Sequence, residues 1–145
     1  EMRELFFGPY YEQSLTVKKG GRELLAALKE SHIPVALATS TAQASVLKEL
    51  KDAGIRDYFD QVICGDMVSH SKPHPEIFLT ACAALGAKPE KTIVIEDSYN
   101  GIRAAHAGGM MPVMVPDMLQ PTEEIEQMTI AVCESLLVVK ENIGL

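Results

Sequence analysis

Three short groups of polar residues could do chemistry: Thr39-Ser40-Thr41, Ser71-Lys72-Pro73-His74-Pro75 and Glu96-Asp97-Ser98. The first and third directly follow apolar runs, Val35-Ala36-Leu37-Ala38 and Thr92-Ile93-Val94-Ile95. A hydroxyl followed by the amides of a new helix suits a phosphate group, and it equally suits a simple helix cap. Lys72 precedes a proline-opened helix and could hold phosphate oxygens as a point charge, or it could be a solvated surface lysine. Pro73 and Pro75, flanking one residue, stiffen that loop and fix where Lys72 points. Two adjacent carboxylates at a strand end are costly unless a cation sits there. Magnesium, which takes oxygen ligands from one or two carboxylates plus a substrate phosphate, answers that need. The other reading of this group is again a cap, with Asp97 or Ser98 bonding the amides near Gly101. Taken together and in this order, a hydroxyl, a lysine and a carboxylate pair are the parts of a phosphoryl-transfer site. A nucleophile is missing, for neither a Ser-His-Asp nor a Cys-His arrangement is legible.

These groups need elements to hold them. Helical periodicity places Leu24, Leu25 and Leu28 on one face of Arg22–Ser31, and Val46, Leu47 and Leu50 on one face of Ala44–Ala53, with Gly54 as its stop. Glu76–Leu85 reads as a helix opened by Pro75 and ended by Gly86, and Ile102–Ala107 as another, closed by Gly108-Gly109. Strands are expected at Val35–Ala38, Val62–Cys64, Thr92–Ile95, Pro112–Val115 and Ile130–Cys133, with a last helix over Ser135–Glu141. Met2–Tyr11 carries a weak helical pattern. The alternation of strand and helix predicts an α/β fold, a Rossmann-like parallel sheet with helices on both faces. In such sheets ligands bind beyond the carboxyl ends of the strands, where the polar groups fall.

Composition narrows the class. The chain has 145 residues, 47% of them hydrophobic, enough for one domain with a full core. A net charge of −7 argues against a nucleic-acid partner. No apolar run spans a membrane and no secretory signal opens the chain, so no membrane partner is expected. Cys64, Cys82 and Cys133 fit neither a disulfide framework nor a zinc site, which suggests a reducing, cytoplasmic compartment. His32, His70, His74 and His106 show no metal spacing and read as surface or loop residues, with a minor substrate contact open to His74. Met110, Met111, Met114 and Met118 read as packing, and Glu123-Glu124-Glu126 as a solvated helix face.

The order Val35-Ala36-Leu37-Ala38-Thr39-Ser40, then Ser71-Lys72-Pro73-His74-Pro75-Glu76-Ile77-Phe78, then Ile93-Val94-Ile95-Glu96-Asp97-Ser98-Tyr99-Asn100-Gly101-Ile102 closely resembles the haloacid dehalogenase-like hydrolases. Within them it looks like the branch holding β-phosphoglucomutase and small-metabolite phosphatases, over about Val17 to Val115. The resemblance implies that Thr39, with Ser40, binds the transferring phosphoryl group. It implies that Lys72 binds the same group and steadies the nucleophile. Asp97 would ligate Mg2+, with Glu96 as a direct or water-mediated second ligand. The partner would be a small phosphorylated metabolite. The family's nucleophile is an aspartate in an Asp-x-Asp motif ending the first, central strand; here the first aspartate is Asp52. The expected domains are therefore residues 1–16, a remnant of the helical cap and hinge, and residues 17–145, the core. With its first central strand missing, the sheet is expected to leave a gap of ~10 Å between the strands ending at Thr39 and Glu96.

The leading expectation is a magnesium-dependent phosphohydrolase that works through an aspartyl-phosphate in the intact protein, with the chain as given inactive. A phosphomutase is the alternative among enzymes, but the resemblance then implies a lysine where Ala42 stands. A metal-free dehalogenase would not need the Glu96–Asp97 pair. A non-catalytic phosphate-binding remnant is the alternative outside enzymes, and the missing Asp-x-Asp speaks for it.

Overall fold

The computed structural model describes residues 4–7 (as backbone), 21–116 and 120–142. Among the described residues six parallel strands form one sheet: β1 (Glu4–Phe7), β2 (Val35–Ala38), β3 (Gln61–Ile63), β4 (Thr92–Glu96), β5 (Met111–Met114) and β6 (Ala131–Val132). Their order across the sheet is β3-β2-β1-β4-β5-β6. The helices are α1 (Gly21–Glu30), α2 (Gln43–Ala53), α3 (Glu76–Leu85), α4 (Tyr99–Ala107), α5 (Glu123–Met128) and α6 (Leu136–Asn142). Among the described residues no helix is long and apolar enough to cross a membrane.

The two-residue period of the strands divides the core into two layers. Val35, Leu37, Ile93 and Ile95 point to one face, where they meet Leu24 and Leu28 of α1, Val46 and Leu50 of α2, and Val139 of α6. Ala36, Ala38 and Val94 point to the other, against Ile77, Phe78 and Ala81 of α3 and Ala104 and Ala105 of α4. Every residue of β2 and β4 is buried, as strands covered on both faces must be. Small Ala36 and Ala38 let α3, with its large Phe78, lie close to the sheet just below the polar strand ends.

Most elements fall where the residues predict them. Gly54 and Gly86 end α2 and α3 in the left-handed conformation, at φ of 72° and 69°. Helix α4 starts earlier than its apolar face suggests, at Tyr99, because Ser98 caps it by accepting from the Gly101 amide at 3.0 Å.

The N-terminal expectation is corrected. Glu4–Phe7 is a strand, not part of a helix, and the space between β2 and β4 is not a gap. β1 pairs with both neighbours, Leu5 opposite Val35 and Ile93, and Phe7 opposite Leu37 and Ile95. Facing rows of unpaired backbone groups on two buried strands are too costly to leave open, and that demand overrides a weak helical pattern. The expected division between residues 16 and 17, and Met118, lie outside the described residues.

Candidate functional site

The lysine and the carboxylate, 24 residues apart in sequence, meet directly: Lys72 Nζ donates to Glu96 Oε2 at 2.9 Å. The contact is dry, with side-chain exposures of 7% for Lys72 and 0% for Glu96. Lys72 also lies over the ring of Phe78, 5.1 Å from its centre. The other Glu96 oxygen, Oε1, accepts from the amides of Asp97 (3.1 Å) and Ser98 (3.4 Å) and from the Ser98 hydroxyl (3.3 Å). Both carboxylate oxygens are thereby engaged. Ser98 supplies the helix cap that the sequence offered as one reading of this group, and Asp97, half-buried, follows β4 at its carboxyl end.

Gly101 makes this packing possible. A Cβ there would run into the Cγ, Cδ and Oε2 of Glu96. The reading of Lys72 as a solvated surface lysine does not hold: it is seated against Glu96 and Phe78, so its truncation must also be felt by the fold.

Beyond β2, buried Thr39 accepts from the Thr41 amide at Oγ1 (3.2 Å), and Ser40 is exposed. This hydroxyl group does not cap α2, whose N-cap is Ala42. The carboxylate of Asp66 approaches the Gln43 amide from the turn after β3, at 3.3 and 3.4 Å. That turn presses on the Thr39 loop: Gly65 N–H donates to Thr41 O at 3.0 Å, and a Cβ on Gly65 would overlap Ser40 O. Thr39 and Glu96 thus sit on one sheet edge, on the two strands flanking β1.

The loop carrying Lys72 is anchored by Glu76. Its carboxylate accepts from the amides of Ser69 (3.0 Å) and His70 (2.9 Å) and pairs with His70 Nδ1 at 3.0 Å. The Ser69 amide, then the His70 side chain, hold this carboxyl below its ordinary range. The cysteines are buried and free of disulfides. Burial, with the Asp66 carboxylate adding to it, pushes the Cys64 thiol up, the wrong direction for a nucleophile.

A family model described as haloacid dehalogenase-like hydrolase matches residues 7–115. The chain belongs to this family. It is 40% identical over 100 residues to a phosphorylated carbohydrates phosphatase of Thermotoga maritima, a match covering 69% of this chain and 46% of that protein. It is 34% identical over 105 residues to hexitol phosphatase B of Escherichia coli K12, covering 72% of this chain and 47% of the relative. The β-phosphoglucomutase structure from Clostridium difficile superposes with a TM-score of 0.72 at 28% identity, over 88% of this chain and 57% of that one. The chain spans about half the length of the curated relatives it matches.

The hydrolase family implies magnesium, and the donors near β4 suit it in a particular way. Asp97 offers a carboxylate at the strand end. Glu96, with both oxygens engaged, suits a ligand acting through water better than a direct one. Among the described residues no third carboxylate, histidine or cysteine gathers with these two. Gly65, Asp66, Glu76 and Gly101 escaped the sequence reading as site residues. The tight Gly65 and Gly101 contacts join segments far apart or packed edge-on, which spacing alone does not announce.

Proposed function

We propose that the intact protein is a magnesium-dependent phosphomonoester hydrolase of a small phosphorylated metabolite, working through an aspartyl-phosphate. The observation that carries the reading is the dry Lys72–Glu96 pair, which brings two distant motifs to the carboxyl edge of the sheet that Thr39 also lines. In this reading Thr39, with Ser40, binds the phosphoryl oxygens through hydroxyl and backbone groups. Lys72, oriented by Glu96 and Phe78, neutralises their charge as the transition state forms. Asp97 is the metal ligand of this chain and Glu96 its water-mediated second. Magnesium, when bound, screens the phosphate from an anionic nucleophile.

The nucleophilic aspartate is not a residue of this chain: β1 ends at Phe7, and no aspartate precedes Asp52. We take Glu1–Thr16 as the end of a cap segment. In the intact protein an Asp-x-Asp strand holds the central place and Glu4–Phe7 returns to the cap. Relatives that act on phosphorylated sugars, with Ala42 where a mutase lysine is expected, favour hydrolysis over phosphoryl exchange.

Asp97→Ala in the full-length protein should abolish magnesium-dependent release of phosphate from a generic phosphoester, with the melting temperature little changed. Undiminished turnover in that variant would remove Asp97 from the mechanism.

A further inference from the structure

The loop carrying Lys72 holds a second cluster that the phosphate chemistry does not use. His70, His74 and Glu76 each offer a ligand atom, and these atoms lie within 4.8 Å of one another. The geometry points to a site for one divalent ion of the zinc, cobalt or nickel class, distinct from the magnesium position at Asp97 and independent of the proposed hydrolysis.

Three observations carry it. The first is the donor set. Two imidazoles and a carboxylate make the His2Glu combination that holds zinc with a fourth position open to water. Magnesium and calcium prefer oxygen ligands alone.

The second is spacing. His70 Nδ1 and Glu76 Oε1 are 3.0 Å apart, joined through a proton. Ligands on a tetrahedral ion at zinc–nitrogen distances stand about 3.3 Å apart. An ion can therefore replace that proton with little movement of either group. His74 Nδ1 accepts from the Glu76 amide at 3.1 Å, so that nitrogen carries no proton and its lone pair is in the ligating tautomer. The ion takes this lone pair in place of the amide, while the proton stays on Nε2. The two rings already stack, their centres 4.5 Å apart.

The third is preorganisation. Pro73 and Pro75 fix the backbone on both sides of His74. The Ser69 and His70 amides hold the Glu76 carboxylate, the outer support that metal-binding carboxylates use. All three side chains reach solvent, so an ion has an open path. Because Lys72 lies between His70 and His74 in the chain, a bound ion would tie down the same loop that presents it.

The test is titration of the purified chain with Co2+, followed by its visible absorption, and with Zn2+ by calorimetry, in excess Mg2+. The expected result is one ion per chain, uncompeted by Mg2+, with no thiolate charge-transfer band. The double variant His70→Ala/His74→Ala should bind roughly tenfold or more weakly, while His106→Ala, on the exposed face of α4, should bind as the parent does. In the unsubstituted chain, Zn2+ should protect His70 and His74 from modification by diethyl pyrocarbonate, read by peptide mass spectrometry. No binding, binding unchanged in the double variant, an equal loss in His106→Ala, or protection falling on other histidines would each overturn the site.

Discussion

Lys72 and Glu96 illustrate how a candidate site residue can also be a fold residue. Each alone would be an unpaired charge in a dry place, so each depends on the other. Removing only the amine, by Lys72→Ala, should destabilise the chain by about 3 to 5 kcal/mol in urea unfolding, because Glu96 is left buried and uncompensated. The double variant Lys72→Met/Glu96→Gln, neutral at both ends and similar in shape, should recover most of that loss. A single variant as stable as the parent would mean that the pair opens to water in solution. Partnership of this kind is invisible in sequence: a lysine beside two prolines looks solvated until the helix it precedes is laid against the strand that ends at Glu96. The candidate residues stand out by type in the sequence because phosphate and metal chemistry is open to only a few side chains. The contacts that seat them do not, because they join positions 24 residues apart.

At the scale of elements, β2 and β4 stand out as continuous runs buried on both faces, and α2 and α3 by a helical period that Gly54 and Gly86 end. The first turn of helix α4 is hidden in sequence, since Tyr99-Asn100-Gly101 lacks an apolar face and the cap at Ser98 competes with a metal-binding reading of the same group. Gly101 itself joins two elements, being the place where the first turn of α4 lies on the Glu96 carboxylate. Gly101→Ala should therefore cost about 1–3 kcal/mol by forcing Glu96 aside, and the loss should shrink in a Glu96→Ala background. Strand β1 is not legible in sequence, because four residues carry too little periodicity to outweigh their surroundings. Its placement also bears on activity. Phe7, the last residue of β1, brings no nucleophile to the site edge, so the 145-residue chain alone should show no phosphatase activity above a trace. Adding a segment that carries an Asp-x-Asp strand and cap should restore magnesium-dependent hydrolysis, and must displace Glu4–Phe7 from β2 and β4 to do so. Robust turnover by the chain alone would show that the nucleophile lies elsewhere.

The whole molecule carries a net charge of −7, and its self-repulsion opposes compaction. Among the described residues, exposed pairs such as Lys48–Asp52 and Arg103–Glu124 are each worth little and weaken in salt, whereas Lys72–Glu96 is shielded from it. Moderate sodium chloride should therefore raise the melting temperature; a fall would mean that surface pairs outweigh the repulsion. For these 145 residues synthesised on their own, the sheet order has a further consequence, for the order of events on a ribosome. Glu4 pairs with Thr92, 88 residues later (92 − 4), so β1 leaves the tunnel long before its second neighbour exists. At ordinary elongation rates of about 5–20 residues per second that delay is roughly 4 to 18 seconds. During that interval β1 can find β2, but the edge meant for β4 stays open to any passing strand. A pause in synthesis between Ile63 and Thr92 would lengthen this exposure, and codon choice over that stretch should matter more to soluble yield than anywhere after Met114.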